Sequence, residues 1–333
     1  DKVDFSILFG LYSISVAFFM PTIALANSVS YNALDKAGLD AVKTFPPIRV
    51  FGTVGFIVSM WIVDLSGWQT TSIQFLWSGI LSVVLALYSM TMPKCETSAN
   101  KSNSSFVQAL GLEAFKLFRN YRMALFFIFS MLLGCCLQIT NGYAGPFLQS
   151  FGINEMYQGT FGVEHSNILI SLSQMSETLC ILLIPFFLSR FGIKKVMLMS
   201  MLAWALRFGF FAVGNPGDGV WLLILSMIVY GIAFDFFNIS GSLFVDKETD
   251  ISIRNSAQGV FMMMTNGFGA SLGMIVAGWV MNMYTVNESG LMIDKPGTGG
   301  WQEAWTIFAI YALVVAILFA LLFRYKHVTE KIN

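Results

Sequence analysis

Charge is scarce in this 333-residue chain, and its two signs cancel. Lys and Arg together number 19, as do Asp and Glu, so 11% of the residues are charged while 56% are hydrophobic. Ordinary soluble domains carry roughly 25% charged residues. A water-soluble enzyme cannot cover its surface with so few charges, so the composition argues against that class. A nucleic-acid-binding protein is excluded too, because no basic excess is present to meet phosphates.

Metal-binding and nucleophilic side chains are also scarce. The chain has four cysteines and two histidines. Cys135 and Cys136 are adjacent in one apolar run, Cys180 lies in another, and His165 and His327 lie at the edges of such runs. None of them has the spacing of a zinc site or of a disulfide framework. We therefore expect no catalytic residue, no metal site and no cofactor.

Long hydrophobic runs are, by contrast, plentiful. A helix needs about 20 mainly apolar residues to cross roughly 30 Å of hydrocarbon. The runs that meet this requirement are residues 5–33, 48–66, 72–92, 122–149, 166–189, 195–213, 219–245, 253–284 and 302–324. They do not alternate with a period of two, which argues against the strands of a barrel. The sequence predicts an all-α polytopic membrane protein with nine transmembrane helices.

Basic residues lie almost entirely on alternate connections between these runs. One set of connections carries 15 Lys and Arg residues, and the other set carries only Lys295. Because loops rich in Lys and Arg stay in the cytoplasm, the C-terminus is predicted to be cytoplasmic. Trp68, Trp221, Trp301 and Trp305 would then form an aromatic belt at the outer interface.

The longest connection, residues 93–121, divides the runs into unequal groups of three and six. Its first part is a polar linker, and residues 106–119 have the spacing of an interfacial helix. Large secondary transporters often consist of two six-helix halves. We therefore expect residues 1–92 to be the remainder of an N-terminal half, with the first three of twelve helices missing. Residues 122–333 would be the C-terminal six-helix half.

Ionisable and amide side chains interrupt several of the apolar runs. Glu177 lies at the centre of one run, one turn after Gln174, and Asp235 lies inside another. Such groups cost roughly 2.5–3.5 kcal/mol each at membrane depth and face a bundle interior or a cavity. Carboxamides suit the edge of a base, carboxylates can accept the hydroxyls of a sugar diol, and aromatic rings stack on planar rings. Two desolvated acids could also couple transport to a proton gradient.

A purely structural role is the alternative for each of these polar groups. Polar side chains also hold neighbouring membrane helices together. Glu177 and Asp235 could each form an ion pair with Arg207 or Arg49, and structural pairing is the favoured interpretation for Arg207.

Four segments resemble the bacterial nucleoside:proton symporters of the major facilitator superfamily. They are FPPIRVFGTVGF at residues 45–56, LQITN at 137–141, SQMSET at 173–178 and YGIAFDFFNISG at 230–241. The likeness runs along the whole chain, and four motifs in the same order make it specific. It implies twelve helices in two pseudo-symmetric halves, of which this chain matches helices four to twelve.

The resemblance also implies a nucleoside site in a central cavity between the two halves. The corresponding residues are Arg49, Thr53 and Phe56 from the N-terminal half, and Gln138, Asn141, Gln174, Glu177, Tyr230, Phe234 and Asp235 from the C-terminal half. Glu177 and Asp235 are the candidates for the coupling proton. The implied function is import of nucleosides across the inner membrane by proton symport with alternating access. The partners are the nucleoside, the proton and the lipid bilayer, and a monomer is expected to be functional.

Two other functions stay open at this point. One is a major facilitator carrier for another small polar solute, such as an oligosaccharide or a drug. The other is a nutrient receptor that binds its ligand without transporting it. Purine or pyrimidine preference and proton stoichiometry are not specified by the sequence.

Overall fold

The computed structural model describes residues 4–39, 41–92, 112–250, 253–287, 290–295 and 297–325. Within these ranges the regular structure is helical, apart from one isolated β-bridge between Val286 and Met292. The prediction of an all-α fold is therefore confirmed. Residues 93–111, which include the predicted polar linker, lie outside the described residues.

The long helices follow the predicted apolar runs closely. They are α1 (Phe5–Lys36), α2 (Ala41–Leu65), α3 (Ile73–Ser89), α4 (Tyr121–Ser150), α5 (Ser166–Val213), α6 (Val220–Glu248), α7 (Arg254–Met262), α8 (Ala270–Tyr284) and α9 (Gly300–Leu322). A π-helical segment, Met263–Gly269, joins α7 to α8. The described part of the predicted interfacial helix is a 3-10 helix, Leu112–Arg119, and its Phe118 ring lies 5.1 Å from that of Phe127.

Among the residues that the structure describes, five helical stretches are long and apolar enough to cross a membrane. They are Tyr121–Ile153, Ser166–Val213, Val220–Glu248, Ser256–Tyr284 and Gly300–Leu322, and shorter apolar stretches occupy Phe5–Phe19, Val50–Leu65 and Ile73–Ser89. The chain is thus a multi-pass membrane protein. The number of nine transmembrane helices stays a prediction.

A glycine divides α5 into two arms. Gly192 has φ 74° and ψ 166°, a conformation that side chains other than hydrogen strongly disfavour. The first arm (residues 166–191) and the second arm (residues 193–213) are therefore separate helices within one 48-residue stretch. The break falls between the two apolar runs that the sequence predicts here, 166–189 and 195–213.

The chain divides into two compact units. Unit 1 comprises Asp1–Val58 and Thr70–Ser102, and unit 2 comprises Ser59–Gln69 and Asn103–Asn333. In unit 1, α3 has no buried side chain. In unit 2, helices α4 to α9 enclose an extensive core of buried aromatic and aliphatic side chains.

An aromatic cluster occupies one end of the core of unit 2. The Trp305 ring lies 4.8 Å from Phe211 and 5.5 Å from Phe147, and Trp301 lies 5.3 Å from Phe147. Both tryptophans are buried. Their predicted place in an outer aromatic belt is therefore wrong, because they pack against neighbouring helices instead. Trp221 is exposed and remains compatible with such a belt.

The first arm of α5 and helix α6 approach so closely that their backbones touch. A Cβ atom added to Gly231 would lie 2.6 Å from the carbonyl group of Ser176. The Ser176 hydroxyl donates a hydrogen bond to the carbonyl of Ile228, one turn before Gly231. The second arm is joined to α6 in the same way, since the Ser200 hydroxyl donates to the carbonyl of Ala233. These contacts fix the two helices that carry most of the candidate site.

Candidate functional site

Helices α5 and α6 bring four polar or aromatic candidates together. Tyr230 and Phe234 lie one turn apart on α6, and their rings are parallel, with centroids 5.8 Å apart and an interplanar angle of 7°. Tyr230 is buried, and so is Asp235 on the same helix. Glu177, on the first arm of α5, is half-buried.

The Arg207 guanidinium lies over the Tyr230 ring, with its carbon 4.6 Å from the ring centre. Glu177, Arg207 and Asp235 all lie close enough to act electrostatically on the Tyr230 hydroxyl. Glu177 and Arg207 come from the two arms of α5, while Asp235 comes from α6. Both predicted acids are therefore within electrostatic range of one tyrosine, although they lie 58 residues apart in the sequence.

Three candidate amides have no hydrogen bond in the part of the chain that the structure describes. They are the side chains of Gln138 and Asn141 on α4 and of Gln174 on α5. Gln138 and Gln174 are half-buried, and Asn141 is exposed. If these groups served to join helices, each would bond to a neighbouring helix, and none does so among the described residues.

Helix α4 is held against α5 by the buried Arg207. The Arg207 Nε atom donates to the Thr140 hydroxyl at 3.2 Å, two residues from Gln138. This contact places the α4 amides on a helix that is packed directly against the one carrying Gln174 and Glu177.

The remaining candidates lie on α2. Thr53 is half-buried and Phe56 is exposed. These two residues are three positions apart and so share a helix face. Arg49 also belongs to α2, but its side chain lies outside the described residues.

The ion pair considered for Arg207 with Glu177 or Asp235 is not formed. Among the described residues, no carboxylate lies within 4 Å of the Arg207 guanidinium; the groups there are hydroxyl and carbonyl oxygens and a methionine sulfur. The structure therefore places Arg207 beside Tyr230 without joining it to either acid.

A buried carboxylate that the sequence interpretation overlooked lies at the end of α2. Asp64 Oδ1 is 2.6 Å from His165 Nδ1, and Asp64 Oδ2 accepts from the backbone N–H of Asn167 at 2.9 Å and from that of Ile168 at 3.3 Å. The Gln69 side-chain amide donates to the same oxygen at 2.9 Å. We call Asp64, Gln69 and His165 the acidic clamp. In the sequence, Asp64 is a carboxylate in the last turn of an apolar run. A carboxylate at such a position is ordinarily expected to face solvent.

Within the described ranges, no three His, Cys, Asp or Glu side chains are close enough together to hold a metal ion. Cys135, Cys136 and Cys180 are buried free thiols. The described candidate side chains offer hydrogen bonding, ring stacking and charge.

Comparisons with known proteins agree on one family. Residues 1–328 match the model of the family described as Nucleoside H+ symporter. The chain is 53% identical to the nucleoside permease NupG of Escherichia coli strain K12 over 311 residues, which are 93% of this chain and 72% of the permease. It is 52% identical to the xanthosine permease of the same strain over 331 residues, which are 99% of this chain and 77% of that protein.

Solved structures give the same result. A crystal structure of the nucleoside transporter NupG matches with a TM-score of 0.80 and 53% identity, covering 92% of this chain and 74% of that one. A single-residue mutant of NupG matches with a TM-score of 0.84 and 52% identity over the same share of each chain. The helical fold, the apolar spans and these matches establish that the chain belongs to the nucleoside H+ symporter family and is a transporter rather than an enzyme.

Proposed function

We propose that this chain takes up nucleosides together with protons, and that the residues around Tyr230 form the C-terminal part of its substrate site. The observation that carries the site assignment is the arrangement of unbonded amides beside two carboxylates and a stacked ring pair. Membrane-depth polar groups without a helix-joining role are expected to face a transported solute. The family and the relatives that transport nucleosides supply the class of substrate.

Each chemical group has a role that suits a nucleoside. Gln138, Asn141 and Gln174 donate and accept hydrogen bonds at the base edge or the ribose. Glu177 and Asp235 accept hydrogen bonds from the ribose hydroxyls, and one of them carries the coupling proton. Phe56, Tyr230 and Phe234 supply ring faces. Arg49 and Thr53 add polar contacts from α2.

Uptake of labelled uridine by the full-length protein tests the assignment. A hydrogen bond to a charged group contributes about 1.5–3 kcal/mol, so Glu177→Gln should reduce uptake at low substrate concentration by at least about tenfold. Glu155→Gln is the matched control, because Glu155 is an exposed loop carboxylate. Equal uptake by the wild type and by Glu177→Gln, at equal membrane expression, would remove Glu177 from the site.

Competition and reconstitution separate the proposed function from its alternatives. Unlabelled nucleosides should compete with uridine uptake, whereas disaccharides and free bases should not. A carrier for another polar solute would show the reverse order. In proteoliposomes, an imposed proton gradient should drive accumulation, and binding without accumulation would indicate a receptor.

The organisation of the chain in the membrane is part of the same proposal. Loop charge supports a cytoplasmic C-terminus. We propose that residues 1–92 and 122–333 belong to two halves, which are joined by residues 93–121. Movement of two such halves relative to each other makes alternating access possible. The protein is proposed to work as a monomer in the bacterial inner membrane, embedded in the lipid bilayer.

A further inference from the structure

A single guanidinium lies at the centre of the hydrogen bonds between α4, α5 and α6. Arg207 is 1% exposed. Its Nη1 atom donates to the Ser226 carbonyl at 2.6 Å and to the Ser173 hydroxyl at 3.4 Å, and its Nε atom donates to Thr140 at 3.2 Å. The Ser226 hydroxyl in turn donates to the Arg207 carbonyl at 3.0 Å. One side chain thus joins α4, both arms of α5 and α6.

The charge of Arg207 is met by aromatic faces. Its guanidinium carbon lies 4.6 Å from the centre of the Tyr230 ring and 5.0 Å from that of Phe211. Among the described residues no carboxylate is within salt-bridge distance. A cation at membrane depth is costly, and such residues mark functional positions more often than packing positions. Cation–π attraction is strongest when the pair is removed from water, as it is here.

The Tyr230 ring connects this cation to the proposed site. Trp204 meets the ring edge-on at 5.9 Å, and Phe234 stacks parallel to it at 5.8 Å. Tyr230 is therefore held by Arg207, Trp204 and Phe234, and it lies in the electrostatic range of Glu177 and Asp235. The guanidinium on one face of the ring therefore restricts the orientation of the ring that the substrate would meet.

We propose that Arg207 is a positioning residue for nucleoside binding, which fixes the Tyr230 ring and, through it, the stacked Phe234 ring. The inference rests on the proposed function, because it assumes that these two rings contact the nucleoside. Arg207 itself does not contact the nucleoside. It acts through the planar face of its guanidinium and through the three helices that it joins.

Arg207→Lys tests the planar contact while the positive charge is kept. Lysine cannot reproduce the flat stack or the forked donors of arginine. A desolvated cation–π contact is large enough to change affinity by about tenfold, so we expect the Kd for uridine of the purified full-length protein to rise by about that factor. The maximal uptake rate should change less than the affinity. Phe211→Leu is the matched control, since it removes the other ring from Arg207 without touching Tyr230, and it should leave the Kd unchanged.

A double-mutant cycle shows whether Arg207 acts through Tyr230. In a Tyr230→Leu background, Arg207→Lys should add little further loss of affinity, because the ring that it positions is gone. Additive losses would overturn the inference. A lower melting temperature with an unchanged Kd in Arg207→Lys would also overturn it, since that result describes a structural role alone.

Two further outcomes keep the proposal separate from the site assignment. If Tyr230→Leu leaves uridine affinity unchanged, the proposed site itself is wrong. If Tyr230→Leu weakens binding but Arg207→Lys does not, only the positioning role fails.

Should Arg207→Lys not fold, the double variant Thr140→Val, Ser173→Ala removes two hydrogen-bond acceptors of the guanidinium while retaining the arginine. That variant should still weaken uridine binding, and unchanged affinity there would refute the inference.

Discussion

Asp235 and Glu177 are both within electrostatic range of Tyr230, but they are exposed to water to different extents. Asp235 is 4% exposed, whereas Glu177 is half-buried. An ionised carboxylate is costly to keep away from water, and the cost grows with burial. On this ground we propose Asp235 as the group that carries the proton and Glu177 as the group that holds the ribose.

We therefore expect Asp235→Asn to separate coupling from exchange. The variant cannot take up a proton at this position, so accumulation of uridine against its gradient should be lost. Counterflow exchange, in which labelled uridine outside the vesicle is exchanged for unlabelled uridine inside it, should persist. Both rates are measured in proteoliposomes, with Asp218→Asn, a change at an exposed loop position, as the control. If exchange and accumulation fall together, Asp235 belongs to substrate binding instead.

At the residue scale, the sequence identifies candidate groups but does not predict their partners. Glu177 and Asp235 stand out because acids are rare in apolar runs, and that argument needs no structure. The partners of Arg207 and Asp64 could not be deduced, because they depend on how helices pack. His165 lies 101 residues after Asp64, yet the two side chains are 2.6 Å apart.

The crossing of α5 and α6 sets the geometry of the site at the scale of secondary-structure elements. Gly231→Ala would place a methyl group 2.6 Å from the Ser176 backbone, where the serine cannot yield without moving its helix. Overpacking of this kind lowers the free energy of unfolding by about 1–3 kcal/mol. The variant should therefore melt at a lower temperature and bind uridine more weakly. The control is Gly209→Ala, since a Cβ atom at Gly209 meets nothing within 4 Å. Equal melting temperatures for the two variants would contradict the described crossing.

The acidic clamp joins the end of α2 to the beginning of α5. Asp64 accepts backbone N–H groups at the first turn of α5, where negative charge is favoured by the helix dipole. Asp64→Ala would leave these donors and His165 without their acceptor, at a cost of about 2 kcal/mol. We expect a lower melting temperature in detergent and little effect from Asp218→Ala. An unchanged melting temperature would show that the clamp does not stabilise the protein.

The positions and lengths of the helices were largely predictable from the sequence, whereas the breaks and distortions within them were less so. Apolar length predicts each helix because the bilayer sets the number of residues needed to cross it. The division of α5 at Gly192 was visible as an interruption by Arg190, Lys194 and Lys195. The π-helical segment Met263–Gly269 was not predicted, although Thr265, Asn266 and two glycines interrupt the apolar run there. Burial of Trp301 and Trp305 likewise depends on neighbouring helices.

For the whole molecule, composition and loop charge predict more than any single motif does. The helical fold and the multi-pass membrane character follow from apolar runs that are spread along the chain, whereas the family was indicated by four motifs taken together. Orientation is predicted by the 15 basic residues on one set of connections and by Lys295 alone on the other. The geometry of the candidate site could not be predicted in this way, because it depends on a few contacts between residues that are distant in the sequence.

Thiol labelling tests the orientation in intact cells. In a Cys95→Ser background the remaining cysteines, Cys135, Cys136 and Cys180, are buried. Met156→Cys adds an exposed thiol to the connection after α4, and Ser189→Cys adds one near the basic residues that end the first arm of α5. A membrane-impermeant maleimide should label Met156→Cys from outside and Ser189→Cys only after the membrane is opened. The opposite order would place the basic connections outside, and with them the C-terminus.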